Sequence, residues 1–350
     1  MIAAGPIDIG IIGGGMMSQV GHLPFYLEEP RCRVKWIAES RSSLVRVLAE
    51  RCGGDRVVDD HQTILADPTI AAVVLVAPRP CTGPLTLAVL EAGKHVLTEK
   101  PMAHTVPQAE RLVAAAQASD LIYAVGFMKR YDPGVSAAAE TFRDLMRSGR
   151  LGALLAARFY NFTRGYAMAP PPHKRPTESR ATRFDVWPEA PDWLAPDLAG
   201  PYAWFLNAAS HDVNLMRLFF PEALRAERLL CPNSDAIFAS LTCGDVPIAL
   251  EVAKCGPGRW RQGAEFLFEG GVLSLAVPSP MDPAGVSQVI IEEAEPEPRV
   301  SRIDVGDGWS FAHQARAFVD SLAGGPPPRT MGDDALADMR LIEALWRSAA

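Results

Sequence analysis

The chain has no long hydrophobic run. Its longest apolar stretch, Thr69 to Pro78, is far shorter than the ~20 residues a membrane-crossing helix needs, and it fits a buried parallel strand instead. There is no C-x-x-C spacing among the six cysteines, Cys32, Cys52, Cys81, Cys231, Cys243 and Cys255. They therefore read as reduced core thiols, and no zinc site is expected. There is no basic run either, and the net charge is −7, which excludes the usual footprint of a nucleic-acid binder. The opening MIAAGP lacks the basic and apolar regions of a signal peptide, so a cytoplasmic protein is expected. Neither an internal repeat nor a low-complexity tract interrupts the chain. At 350 residues it has room for two domains and a large core.

What is present begins with Ile7 to Ser18, IDIGIIGGGMMS. A short apolar run, Ile7–Ile12, stops at Gly13, Gly14 and Gly15, and a helix-compatible segment, Met16–Leu27, follows. The spacing Gly13-x-Gly15-x-x-Ser18 is a dinucleotide fingerprint with serine in the third glycine place. Gly13 permits the turn, Gly15 lets a pyrophosphate approach the backbone, and Ser18 is small enough for close helix–strand packing. The helix N-terminus offers free N–H groups to phosphate. Gly13, Gly15, Met16, Met17 and Ser18 are thus the candidate cofactor contacts at this turn. Pro24 breaks a helix rule inside the predicted helix. A second apolar run, Val34–Ala38, ends in Glu39, where a carboxylate suits the ribose diol of NAD. Ser40 and Arg41 follow at once, a pair able to hold the 2′-phosphate of NADP. The reading leans to NAD and leaves NADP open.

Short apolar runs then alternate with amphipathic segments. Strands are predicted at Ala71–Ala77, His95–Leu97 and Ile122–Phe127. Helices are predicted at Ser42–Arg51, Pro84–Glu91 (with Thr82 as its cap) and Pro107–Ala118 (with a Thr105/Gln108 capping box). This alternation predicts a parallel sheet with helices on both faces. Ligands of such sheets bind beyond the carboxyl ends of the strands, which places Ala77, Pro78 and the sequence Glu99-Lys100-Pro101 at the cofactor rim. Lys100 there suits donation to an alcohol or carbonyl oxygen.

Three segments carry a family resemblance: EAGKHVLTEKP (Glu91–Pro101), VGFMKRYDPG (Val125–Gly134) and GGPPPRTMGDDALADMRLIEA (Gly324–Ala344). With the glycine turn they resemble the glucose-fructose oxidoreductase and inositol dehydrogenase (Gfo/Idh/MocA) family. The resemblance implies a Rossmann domain over residues 1–127 that binds NAD or NADP. It implies a second α/β domain over residues 128–350, built on a large, mainly antiparallel open sheet, with the closing helices able to pack back on the first. It further implies a homodimer or homotetramer assembled through that sheet, and hydride transfer to or from a sugar or cyclitol.

In the second half, Val135–Ser148 reads as a helix ended by Gly149, and Leu154–Thr163 as a strand. Gly165–Pro201 is proline-rich and lacks periodicity, so an ordered loop is expected, a candidate lid or substrate-shaping insert; Tyr166, the preceding Arg164 and the His173-Lys174-Arg175 cluster are candidate substrate contacts, the last three reading rather as solvated charge. Its tryptophans argue against disorder. Phe205–Phe220 reads as one helix on which Asn207 and His211 share a face. The family pattern sets an aspartate four residues before a catalytic histidine; His211 fits the histidine and Asn207 stands in the aspartate place. Asparagine can orient an imidazole but cannot supply negative charge, which suggests reductive or variant chemistry. Lys100, His211 and Asn207 are the candidate catalytic residues. Runs with two-residue period at Asp235–Thr242, Val246–Lys254, Glu265–Phe268 with Gly271–Leu275, and Val286–Glu292 predict an antiparallel sheet. Helices at Ser310–Leu322 and Asp334–Arg347 close the chain. Two rival readings stay open: a redox-neutral glycosidase with retained NAD, and a non-catalytic dinucleotide sensor.

Overall fold

The computed structural model describes residues 5–163, 173–178, 184–221, 224–256, 260–294 and 297–349. Arg164, Tyr166 and much of the proline-rich stretch lie outside them. The chain divides into two units. One comprises Met1–Phe127, Pro171–Pro191 and Phe311–Met339, the other Met128–Pro170, Asp192–Ser310 and Arg340–Ala350.

The first unit holds β1 (Ile7–Ile12), β2 (Cys32–Ala38), β3 (Val57–Val58), β4 (Ala72–Leu75), β5 (His95–Glu99) and β6 (Tyr123–Gly126). They form one sheet in the order β3-β2-β1-β4-β5-β6, every pair parallel. All of β4 and the last four residues of β1 are buried, as expected of strands covered on both faces. Between them run α1 (Leu23–Glu28), α2 (Ser42–Cys52), α3 (Gln62–Ala66), α4 (Arg79–Glu91) and α5 (Val106–Ala118). Strand order reverses between β1 and β4, so the crevice for a ligand opens beyond their carboxyl ends. The free edge of β6 is covered by Thr330 and Met331: Val125 donates its N–H to the Thr330 carbonyl at 2.8 Å.

Two prolines behave differently from expectation. The predicted helix Met16–Leu27 contains a π-helical turn, Ser18–His22, and α1 starts afresh at Leu23. Pro24 thus occupies a first-turn position, where no partner for its missing N–H is needed. The helix expected from Pro84 begins five residues earlier, at Arg79, so Pro84 lies inside it and Thr82 is not the cap. The Thr82 hydroxyl instead donates to the Pro78 carbonyl at 3.3 Å. At α5 half of the predicted box forms: Thr105 accepts from the Gln108 N–H, while the Gln108 side chain accepts from the N–H of His104, one residue before the cap.

The second unit holds α6 (Pro133–Ser148), β7 (Leu154–Thr163), α7 (Ala199–Ala208), α8 (Ser210–Phe219), and the strands β8 (Arg225–Asn233), β9 (Ala236–Cys243), β10 (Val246–Ala253), β11 (Trp260–Phe268), β12 (Gly271–Ala276), β13 (Gln288–Glu293) and β14 (Arg299–Ile303). Gly149 ends α6 in the left-handed region, φ 65°, as its place predicted. The eight strands order as β14-β13-β12-β11-β7-β10-β9-β8. Only the central β7–β10 pair is parallel; the other six pairs are antiparallel. Inward residues such as Phe159, Leu250 and Phe266 pack under α6 and α8, where Phe142, Phe219 and Phe220 meet them edge-on or tilted. The closing helices are α9 (Ser310–Leu322) and α10 (Gly332–Arg347).

Candidate active site

In the first unit half of the candidate cofactor residues line one cleft, and Gly15, Met16, Met17, Ser18, Glu99 and Lys100 are not among those lining it. Gly13 leaves β1 with φ +98°, and a Cβ there would strike the Val76 carbonyl, so the turn requires glycine. Around Gly15 the space is open: a Cβ would find only the Arg41 guanidinium, 3.8 Å away. That opening is what close approach of a pyrophosphate needs. Met16 and Met17 begin the helical segment, and Ser18 is fully buried beneath it. The cleft of about 800 Å³ beyond them is lined by Gly13, Glu39, Ser40, Arg41, Ala77 and Pro78, all expected, and by Asp59, His61, Phe184 and Val186, which were not. The fit to a dinucleotide is good in shape and in backbone chemistry.

Glu39 and Arg41, read separately in the sequence, form one buried unit. The Arg41 guanidinium bonds the Glu39 carboxylate through Nε at 2.8 Å and a terminal nitrogen at 2.6 Å. The carboxylate also accepts from the Arg41 N–H at 3.0 Å and the Gly14 N–H at 2.9 Å. Burial works to raise the Glu39 pKa, yet the Arg41 guanidinium and these N–H groups outweigh it and hold the carboxyl below its usual range. Ser40 is exposed beside the pair.

Lys100 follows β5 at the same edge, and its peptide bond to Pro101 is cis. Glu99 is turned away from solvent. One carboxylate oxygen lies 2.8 Å from Nε2 of His22, in the π-helical turn; the other accepts from the Lys100 N–H at 3.2 Å. His22 is buried edge-on against Phe311. Nothing in the spacing of His22 and Glu99 announced this pairing.

In the second unit the single helix expected over Phe205–Phe220 is two, α7 and α8, broken at Ala209. Asn207 and His211 therefore stand on different helices, Asn207 exposed and His211 buried. The break is pinned from β7: Asn161 Nδ2 donates to the Ala208 carbonyl at 3.0 Å and to the Asp212 carboxylate at 2.7 Å. The other Asp212 oxygen accepts from Gln262 at 2.6 Å, and Gln262 in turn accepts from Lys129. Burial pushes the Asp212 carboxyl up, while the positive charge of Lys129 and the two amide donors oppose it. This network next to His211 was missed because its members are dispersed along the chain.

Residues 7–127 match the model of an oxidoreductase family with an NAD-binding Rossmann fold, Gfo/Idh/MocA. Over these residues the chain is similar to the Gfo/Idh/MocA oxidoreductases. It is 30% identical to a levoglucosan dehydrogenase of Pseudarthrobacter phenanthrenivorans over 159 residues, 43% of this chain and 40% of that protein. An inositol 2-dehydrogenase of Rubrobacter xylanophilus is 32% identical over 148 residues, 42% of this chain and 41% of that one. These matches span about two fifths of each relative's length. A dTDP-3,4-didehydro-2,6-dideoxy-alpha-D-glucose 3-reductase of Actinomadura kijaniata is 26% identical over 99% of this chain and 96% of its own. Among solved structures, a 3-ketoreductase from Actinomadura kijaniata in complex with NADP and TDP-benzene superposes with a TM-score of 0.77 at 24% identity, covering 98% of both chains. That likeness shows the shared two-part fold. The match of residues 7–127 to an NAD-binding Rossmann model makes the cleft of the first unit a nicotinamide-dinucleotide site.

Proposed function

We propose that this protein is an NAD(P)-dependent oxidoreductase of the Gfo/Idh/MocA family, acting on a secondary alcohol or ketone of a sugar or cyclitol. The observation that carries the reading is Lys100, held at the carboxyl edge of the sheet that bears the glycine turn and the Glu39–Arg41 pair. Gly13, Gly15 and the start of the following helix would hold the pyrophosphate, and Glu39, Ser40 and Arg41 the adenosine ribose. Bound there, nicotinamide supplies hydride chemistry. Lys100, as an ammonium, donates a hydrogen bond to the substrate oxygen and lends its proton when a carbonyl becomes an alcohol. His211 is assigned the second proton-handling role.

Reduction is the direction we favour. The uncharged Asn207 stands where the family pattern has an aspartate, and the relative matched over 99% of this chain is named a 3-reductase of a keto-sugar nucleotide. A second copy of the chain is the partner we assign to the outer face of the eight-stranded sheet. Strand register sets Leu230, Phe238, Leu267 and Val300 on that face, each at least 39% exposed.

The test is turnover of keto-sugars with NADH and NADPH, and of sugars and cyclitols with NAD and NADP. Lys100→Ala is expected to lose ~10²–10⁴-fold in kcat with cofactor affinity kept, and His211→Gln to lose the pH dependence of kcat. Wild-type turnover that survives Lys100→Ala within threefold refutes the assignment.

A further inference from the structure

We propose that residues 173–178 and 184–191 form a strap that is part of the dinucleotide site. Phe184 and Val186 wall the cleft, and the strap's anchors set how fast the cofactor leaves. The proposal rests on the reading of the cleft as a dinucleotide site and adds to it a segment that no sequence motif assigned.

The anchors follow the carboxyl edge of the parallel sheet. After β1, the Gln19 side chain makes a paired amide contact with Lys174: Nε2 donates to the Lys174 carbonyl at 3.0 Å, and Oε1 accepts the Lys174 N–H at 2.9 Å. After β2, the Glu178 carboxylate accepts the Ser43 N–H at 2.8 Å. The N-cap residue of α2, Arg41, provides no side-chain acceptor, so Glu178 fills that place from the strap. The Ser43 contacts hold the Glu178 carboxyl down to about 2. After β3, Phe184 meets the His61 ring edge-on at 5.2 Å. After β5, Gln108 Nε2 donates to the Pro188 carbonyl at 2.9 Å.

The anchor on α4 accounts for the rule-breaking proline. Pro84 has no N–H, so the Pro80 carbonyl, four residues earlier, has no helical partner. The Trp187 N–H of the strap donates to that carbonyl at 3.0 Å. Gly83 makes room for the Trp187 ring, which a Cβ there would enter, and the Arg111 guanidinium lies 5.5 Å from the ring centre. A gap in the helix, a missing side chain and an indole thus fit one another.

Between these polar anchors the strap presents apolar groups to the cleft. Val186 lines it and is 56% exposed, and Phe184 is half-buried beside it. An exposed apolar wall facing Glu39 and Arg41 suits the flat, apolar faces of an adenine base, with the ribose at the polar corner. A ligand so covered leaves only when the anchors open. Most affinity differences within one site lie in the dissociation rate, and the strap is built to govern that rate.

The experiment uses the full chain loaded with NADH or NADPH. Stopped-flow displacement by excess oxidised cofactor reads the off-rate from nicotinamide fluorescence. Glu178→Ala and Trp187→Ala remove one anchor each, at opposite ends, and neither residue lines the cleft. The expected result is an off-rate raised at least tenfold in each variant, association changed less than threefold, and cofactor protecting the strap from limited proteolysis in the wild type. Off-rates within twofold of wild type in both variants, with native circular dichroism, overturn the strap while leaving the dinucleotide site standing. A wild type that binds neither cofactor overturns the reading beneath it. If Trp187→Ala unfolds, Glu178→Ala decides alone, because it removes one helix cap at the surface and no buried side chain.

Discussion

Replacing Arg41 with alanine separates the two roles that Glu39 and Arg41 play at the ribose corner. In the native chain the Glu39 carboxylate accepts four hydrogen bonds, two of them from the Arg41 guanidinium. A carboxylate has about four acceptor positions, so the diol of NAD finds none vacant until the guanidinium moves. Arg41→Ala frees two positions. Each hydrogen bond to a charged group contributes about 1.5–3 kcal/mol, so NAD gains while NADP loses its phosphate partner. A relative shift of about 3 kcal/mol corresponds to roughly a hundredfold change in the NADP-to-NAD affinity ratio. The same change should cost stability, because it leaves a buried carboxylate without its cation. Breaking such a pair typically costs about 3–5 kcal/mol, and the lower figure applies because Glu39 borders the cleft and water can reach it. The sign with pH follows from the lowered Glu39 pKa. The pair stabilises the fold above the unfolded value of 4.5, and that contribution fades as pH falls through the folded one. Wild type and variant should therefore differ most near neutral pH and converge in acid. Fluorescence titration with NADH and NADPH, and thermal melts from neutral pH down to below the ordinary carboxylate range, measure both effects. An affinity ratio within threefold of wild type refutes the competition between guanidinium and ribose.

Two further perturbations test other parts of the structure. Asp212→Asn puts an amide nitrogen against a donor: Gln262 is held in its orientation by Lys129, and Asn161 by the Thr163 hydroxyl, which donates to Asn161 Oδ1 at 2.8 Å. Neither amide can flip without losing that bond, so the variant should lose about 1–3 kcal/mol in urea unfolding although it removes a buried charge; a stabilised variant would show that the network is not oriented as described. His104 is buried, and that burial, with the nearby charge of Arg79, pushes its pKa down to about 4. An unfolded histidine near 6.5 takes up a proton first, so stability should fall as pH drops from 7 toward 4 and level off below. At pH 5 the difference is about 2 kcal/mol from this one group, and His61 and His95, also lowered by burial, act in the same sense. His104→Gln should flatten the slope of unfolding free energy between pH 7 and pH 5, and an unchanged slope would count against it.

Much of the fold could be read from pattern alone. β1, β7 and α9 have the bounds the sequence predicts, because each is an unbroken periodic run between clear stops. The missed strands fail that condition for physical reasons. Val57–Val58 is too short to show a period. β8 and β14 are edge strands with mostly exposed residues, so no alternation marks them. At the crevice, the turn at Gly13 was legible because backbone geometry there requires glycine. The pairing of Glu39 with Arg41 was not, since the same residues also suit two separate ligand roles. The Asn161–Asp212–Gln262–Lys129 network was hidden for another reason: partners brought together by tertiary structure leave no local trace.

Pro84 joins these two kinds of information and yields a prediction that a purely local account would not make. In an ordinary helix interior, proline costs ~3 kcal/mol relative to alanine, through a lost hydrogen bond and a clash with the carbonyl four residues back. Here that carbonyl, on Pro80, is already satisfied by the Trp187 N–H. Pro84→Ala should therefore gain less than the usual amount, since one hydrogen bond replaces another and the unfolded chain becomes freer. The alanine N–H competes with Trp187 for the same acceptor. The variant should hold or raise its melting temperature and yet release cofactor faster, the two readouts moving in opposite functional directions. If α4 is a helix with an incidental proline, stability rises by the full helical increment and cofactor release does not change.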